Sequence, residues 1–280
     1  MPDLGDYELR QDSAHAPPRT ARPPAWGRWM AALLIVAAGA AAAYVFWRRA
    51  PVTPADTGAG TPAAETRAPR QPLGGAAEPI DVPPLGATDP LVRQLVGRLS
   101  SHPRIAAWLA TDGLIRNFVV VVENVAHGAT PAPHLRTLRP AEKFEPSDRD
   151  GALFVDPRSY DRYDTLAEAA ASIDPAGAAT VYATLKPRIE EAYRELGRTD
   201  RFDEALERAI AAILETPTVD GDVPLVPGPV GYRYADPALE RLSSAQKQVV
   251  RMGPRNTAMV QAALREIGIA LGIPAQRLPR

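Results

Sequence analysis

Residues 29–47 read WMAALLIVAAGAAAAYVFW, nineteen positions without a charge, and no other feature narrows the architecture of this chain as far. Wound as an α-helix, the run is ~28 Å long, which matches a bilayer hydrocarbon core of ~30 Å. Trp26 and Trp29 stand at one border and Tyr44, Phe46 and Trp47 at the other, with Arg28 and the Arg48–Arg49 pair closing the segment. Amphipathic rings and cations at both ends anchor a spanning helix at the headgroup level. A soluble core helix would have core-forming sequence beside it, whereas both flanks here are Pro-rich and lack apolar periodicity. A cleaved signal peptide competes through Ala38-Gly39-Ala40, but the apolar run continues past that point and exceeds the usual h-region of ~7–15 residues. The expectation is an uncleaved single-pass anchor.

Its orientation is nearly balanced, because Arg19, Arg22 and Arg28 precede the helix and Arg48, Arg49 and Arg67 follow it. A short tail ordinarily stays inside while a first apolar helix carries the following domain across, so the C-terminal domain is expected outside the cytoplasm. Residues 50–86 hold eight Pro, eight Ala and five Gly with no aromatic residue. Such a composition cannot offset its ordering entropy by burial. As a coil it would reach ~35 Å, and in extended Pro-rich form up to ~115 Å. The organisation read from the sequence is a polar tail (1–28), a transmembrane helix (29–47), a disordered Pro/Ala/Gly-rich linker (48–87) and a globular domain (88–280).

That domain reads as all-α and multi-helical. Four Asp-Pro dipeptides punctuate it, at Asp89, Asp156, Asp174 and Asp236, where Asp caps orphan amides and Pro takes the first helical position. Apolar stripes of helical period follow three of them: Leu91, Val92, Leu95, Val96 and Leu99; Val181, Leu185, Ile189, Ala192 and Leu196, stopped by Gly197, with Pro187 expected to kink or interrupt the run; and Leu239, Leu242, Ala245, Val249 and Met252, ended by Gly253-Pro254. Further stripes run through Phe202, Leu206 and Ile210, and through Val260, Leu264, Ile267 and Leu271. Residues 114–125 carry four consecutive valines, which suit a buried strand or a buried helix; the central-helix reading is preferred. Residues 128–151 and 215–231 are Pro-rich and irregular, either solvated connectors or the frame of a groove.

The net charge is −1 and only Lys143, Lys186 and Lys247 are lysines, so nothing favours nucleic acid as a partner. The chain has no cysteine, which removes disulfides, thiolate metal sites and thiol nucleophiles. No P-loop, dinucleotide fingerprint, nucleophile elbow or zinc-protease motif occurs, and no cofactor or metal is expected. Glu123 and His127 have i, i+4 spacing, with His102 or His134 as conceivable third ligands, but an ion pair explains them as well. Asp148, Asp150 and Asp156 evoke a calcium loop without its closing Glu. On a central helix, Arg116 and Glu123 share a side, as do Asn117 and Asn124. Polar groups there either fix packing through internal hydrogen bonds or floor a ligand site.

Three stretches carry a resemblance: LIRNFVVVVEN from Leu114, YADPALERLSSAQK from Tyr234 and RMGPRN from Arg251 to Asn256. With Phe144, the Tyr160-x-x-Tyr163 pair and AYREL from Ala192, they resemble the domain of unknown function 3014 family of bacterial proteins. The resemblance covers most of residues 88–267 and implies an N-terminal membrane helix followed by a Pro-rich linker. It implies no activity. It adds Tyr160, Tyr163, Arg251 and Asn256 to Arg116, Asn117, Glu123 and Asn124 as polar candidates for binding or structure.

The functional expectation is a non-catalytic, membrane-tethered interaction domain of the bacterial envelope. It would sit at the inner membrane through residues 29–47, with the domain periplasmic and a protein or envelope component as its partner. The competing expectation is an envelope hydrolase of glycan or peptide using Glu123, His127 or Asp150.

Overall fold

The computed structural model describes residues 71–229 and 231–279. The expected membrane segment, the polar tail and the first part of the expected linker lie outside the described residues. Among the described residues, no single helix is long and apolar enough to cross a membrane.

The helices are α1 (Asp89–Gly97), α2 (Pro103–Leu109), α3 (Leu114–Ala126), α4 (Asp164–Ala171), α5 (Pro175–Glu195), α6 (Phe202–Leu214), α7 (Pro237–Glu240), α8 (Ser244–Val250) and α9 (Gly253–Ala270). The four-valine segment is the helix α3, whose Leu114, Ile115, Val119, Val122 and Val125 are buried in the core at the three- and four-residue spacing of one helical face, which the two-residue period of a strand would not give. Asp89 holds the start of α3. Its two carboxylate oxygens accept the amides of Gly113 (2.7 Å) and Leu114 (3.0 Å), so it caps a neighbouring helix instead of its own. Asp174 and Asp236 cap their own helices through the amides of Gly177 and Ala238. Asp89→Ala should cost about 1–2 kcal/mol of stability, read in a denaturant midpoint; an unshifted midpoint would show that the cap carries nothing.

Packed helices α3, α5, α6 and α9 form the main core, in which Leu114, Val119, Tyr193 and Phe202 are fully buried. The Phe202 ring is central, with the rings of Tyr193 at 5.3 Å, Phe118 at 5.6 Å and Tyr182 at 6.4 Å. Helix α5 runs unbroken through Pro187. The stripe after Asp236 divides into α7 and α8, because Ser243 and Gln246 close a reciprocal capping box and restart the helix.

The all-α expectation is corrected by a four-stranded antiparallel sheet, β1 (Pro146–Arg149), β2 (Ala152–Val155), β3 (Pro224–Pro227) and β4 (Tyr232–Tyr234), in that order. The two Pro-rich connectors supply much of it. Arg149 pairs with Ala152 across a two-residue loop in which Asp150 and Gly151 both have positive φ (55° and 83°), the hairpin geometry that Asp-Gly favours. Val223, Leu225 and Tyr234 pack on Leu239 and Val250 as a second small core, while Tyr163 and Ala167 pack on Met252 as a third.

The domain boundary at residue 88 is also corrected. From residue 71 the supposed linker is a strap bound to the domain, with Leu73 and Leu85 buried. The Gly74 amide donates to Leu271 O (3.0 Å) and the Gly75 amide to Ala179 O (3.1 Å). Lys186 and Arg188, on either side of Pro187, donate to the carbonyls of Leu73, Val82 and Pro83. Composition hides such a strap because it is held through its main chain.

A candidate tyrosine and arginine cleft

The eight polar candidates divide into two groups. Arg116 forms a bidentate ion pair with Glu195 (2.6 and 2.9 Å), whose hydrogen bonds hold the Glu195 carboxyl below its usual range. Both side chains are half-exposed. Asn117 Nδ2 donates to Asp112 O (2.9 Å), and the main-chain carbonyl of Asn124 accepts from Ala129 N (2.8 Å). Glu123 is buried, pairs with Arg198, accepts from the Tyr193 hydroxyl (3.3 Å) and lies 3.4 Å from His127 Nδ1. Burial, then the carboxylates of Asp200 and Glu123, push the Tyr193 phenol up. Arg116 and Glu123, expected on one side of α3, therefore serve separate partners, Glu195 for the first and Tyr193 and Arg198 for the second.

Glu123 and His127 do meet, but a guanidinium occupies the carboxylate where a metal would bind. Among the described residues no group of three His, Cys, Asp or Glu side chains has the disposition to hold a metal ion. Asp148 of the supposed calcium loop accepts the Gly151 amide (2.9 Å) and serves the hairpin turn. Asp150 is exposed at that turn, on a different element from Glu123.

Tyr160, Tyr163 and Arg251 are brought together. They line a cleft of about 600 Å³ between the sheet and the α8–α9 corner, floored by Val155, Val223, Leu225 and Val250. Phe144, Tyr232 and Tyr234 add three more rings, the first two in edge contact at 5.9 Å. Arg162, Arg233, Lys247 and Arg251 line it against one carboxylate, Glu240. Glu240 accepts from Lys247 Nζ (3.0 Å) and from the Tyr234 amide (3.1 Å), bonds that hold its carboxyl below the usual range. Arg162 lies over the rings of Phe144 (5.6 Å) and Tyr163 (5.1 Å), and its Nε donates to Ser159 O (2.7 Å). Among the described residues, neither Arg162 nor Arg251 forms an ion pair with a carboxylate. Burial pushes the Tyr234 phenol up to about 12 even though the neighbouring Arg251 opposes the shift; burial raises Tyr160 too.

Asn256 stands behind this wall at 2% exposure. Its Nδ2 lies 3.1 Å from Tyr160 O, 2.8 Å from Asp164 Oδ1 and 3.1 Å from Met252 O, so it ties the Tyr160 turn to α4 and α9. Tyr163 Oη accepts from Gln248 Nε2 (3.2 Å). The sequence reading missed Arg162, Tyr232, Arg233, Glu240 and Lys247 as site residues. The available signals were an arginine between the two paired tyrosines and the alternation Tyr232-Arg233-Tyr234, which puts both tyrosines on one face of a strand.

By class, this is a mostly helical domain with a small antiparallel sheet that closes one side of a cationic, tyrosine-rich cleft. The chain belongs to the family described as Protein of unknown function (DUF3014), whose model matches residues 114–268. Every residue lining the cleft falls within that span. Neither the curated proteins nor the solved structures provide a match.

Proposed function

We propose that this chain is a membrane-tethered, non-catalytic binding module of the bacterial envelope, anchored in the inner membrane by residues 29–47 with its domain in the periplasm. Its partner is a protein bearing an acidic segment. The observation behind this reading is the cleft, where four cations and five aromatic rings meet one carboxylate. Tyr and Arg are the side chains that dominate protein-recognition surfaces, since each couples a large contact area with a polar tip. Guanidinium groups without carboxylate partners are prepared to take carboxylates in charge-assisted pairs. The uncharged run between two tryptophan-bearing borders supports the anchor.

Two measurements test the proposal on the full chain in lipid nanodiscs and in cells. A labelled Asp- and Glu-rich peptide should bind saturably, and Arg251→Ala or Arg162→Ala should each weaken it by about tenfold, while Arg116→Ala leaves it unaltered. Binding indifferent to both cleft arginines would overturn the site. A C-terminal reporter active only after export should be active; a silent export reporter paired with a fluorescent cytosolic one would overturn the topology.

A further inference from the structure

A second cavity, independent of the cleft, lies among the helices. It measures about 360 Å³, opens to the surface, and is walled by α1, α2, α3, α5, α6 and α9, with Leu99, Trp108, Phe118, Val181 and Leu264 among its walls. Helical interiors ordinarily close such a space, because voids larger than a water molecule forfeit packing. This one is more than twice the size of a ~150 Å³ apolar cavity that stays dry and takes up benzene. Every side chain on its wall is apolar except Tyr182, whose hydroxyl is committed to Asp203 at 2.7 Å, and Trp108, which carries a single indole N–H. Water placed there finds at most the Trp108 N–H, too few partners to hold it. A peptide or a charged group would be stripped of hydration without compensation.

We infer that this cavity binds the hydrocarbon tail of an amphiphile, with the polar head left at the mouth. An alkyl chain is the chemistry that fills an uncharged pocket without asking for a donor or an acceptor. Its opening to solvent fits a tail attached to a hydrated head better than a wholly apolar molecule. The volume lies within the ~300–1,000 Å³ range of small-molecule sites.

The test uses the full chain in phosphatidylcholine vesicles with two photoreactive probes, a diazirine-bearing fatty acid and a phosphatidylcholine carrying the same group on its acyl chain. Adducts are mapped by peptide mass spectrometry. Saturable labelling of the peptides bearing Leu99, Trp108 and Val181, competed by unlabelled fatty acid, supports the site. Labelling by the phospholipid assigns the tail to membrane lipid, and labelling by the fatty acid alone assigns it to a free amphiphile. Ala178→Phe and Leu264→Trp, which fill the space from two walls, should each cut the labelling by about tenfold with the thermal midpoint retained. Should either fail to fold, the other variant and the wild-type competition still decide. Adducts confined to residues 29–47, or domain adducts that resist both competition and filling, overturn the inference.

Discussion

Asp203→Ala should lower the unfolding free energy by about 3–5 kcal/mol, the cost of leaving buried charges without their counter-charge. The Asp203 carboxylate is 7% exposed and sits 2.7 Å from Lys186 Nζ. It also pairs with Arg201, accepts from the Tyr182 hydroxyl at 2.7 Å and takes the Leu73 amide at 3.3 Å. One side chain in the first turn of α6 thus joins α5 and the strap. Its loss strands an 80%-buried ammonium and a phenol whose ionisation burial already pushes far up. The denaturant midpoint should fall, and hydrogen exchange should quicken first at Leu73, Gly74 and Gly75, whose amides are bonded to Asp203, Leu271 and Ala179. A midpoint within error of wild type, with those amides still protected, would mean that the strap is held without Asp203, by its other main-chain bonds and the burial of Leu73 and Leu85.

The strap explains where sequence reasoning stopped. Residues 71–87 look like the rest of the Pro- and Gly-rich linker because their bonds use main-chain groups, and the partner side chains Lys186, Arg188 and Asp203 are more than a hundred positions away. Long helices were legible for the opposite reason. In α1, α5, α6 and α9 an apolar stripe repeats over several turns, so the period shows without knowledge of what covers it. Short elements carry too few periods. The strands are three or four residues long and three of their ends are prolines (Pro146, Pro224, Pro227), so their composition reads as loop. Two local signals were nonetheless present: Asp150-Gly151 marks a hairpin, and Ser243-x-x-Gln246 marks a new helix start. Each was masked by a more familiar pattern, a calcium loop in one case and a continuing apolar stripe in the other.

The cleft was half legible for a related reason. Tyr160, Tyr163, Arg251 and Asn256 entered through resemblance alone, and nothing in their spacing reveals that α4, α8 and α9 converge on them. Arg116, Asn117, Glu123 and Asn124 entered through helical geometry, which correctly makes them costly inside an apolar helix but says nothing of their partners. Those partners, Glu195, Asp112, Tyr193 and Arg198, come mostly from the end of α5 and the turn after it.

Gly253→Ala should destabilise the chain by about 2–5 kcal/mol and disable the cleft together with the fold. Gly253 has φ +81°, a left-handed conformation that costs an L-residue about 1–2 kcal/mol. A Cβ there would also lie 2.4 Å from Tyr160 Cγ and 2.7 Å from its Cδ2, an overlap worth about 1–3 kcal/mol in a packed site. The ring has little room to yield, because the Tyr160 carbonyl is held by the buried Asn256 amide. Gly272→Ala separates the two contributions, since Gly272 has φ +88° and open space around its missing Cβ; it should show the conformational part alone. Adding Tyr160→Ala to Gly253→Ala should then recover the part of the overlap that belongs to the ring, the Tyr160 Cβ at 2.8 Å remaining, so the double-mutant cycle gives a coupling of about 1–3 kcal/mol. Equal midpoints for the Gly253 and Gly272 variants, with no coupling to Tyr160, would show that the ring is not wedged against the α9 start. In that case the Tyr160 turn would owe its position to the Asn256 bonds instead.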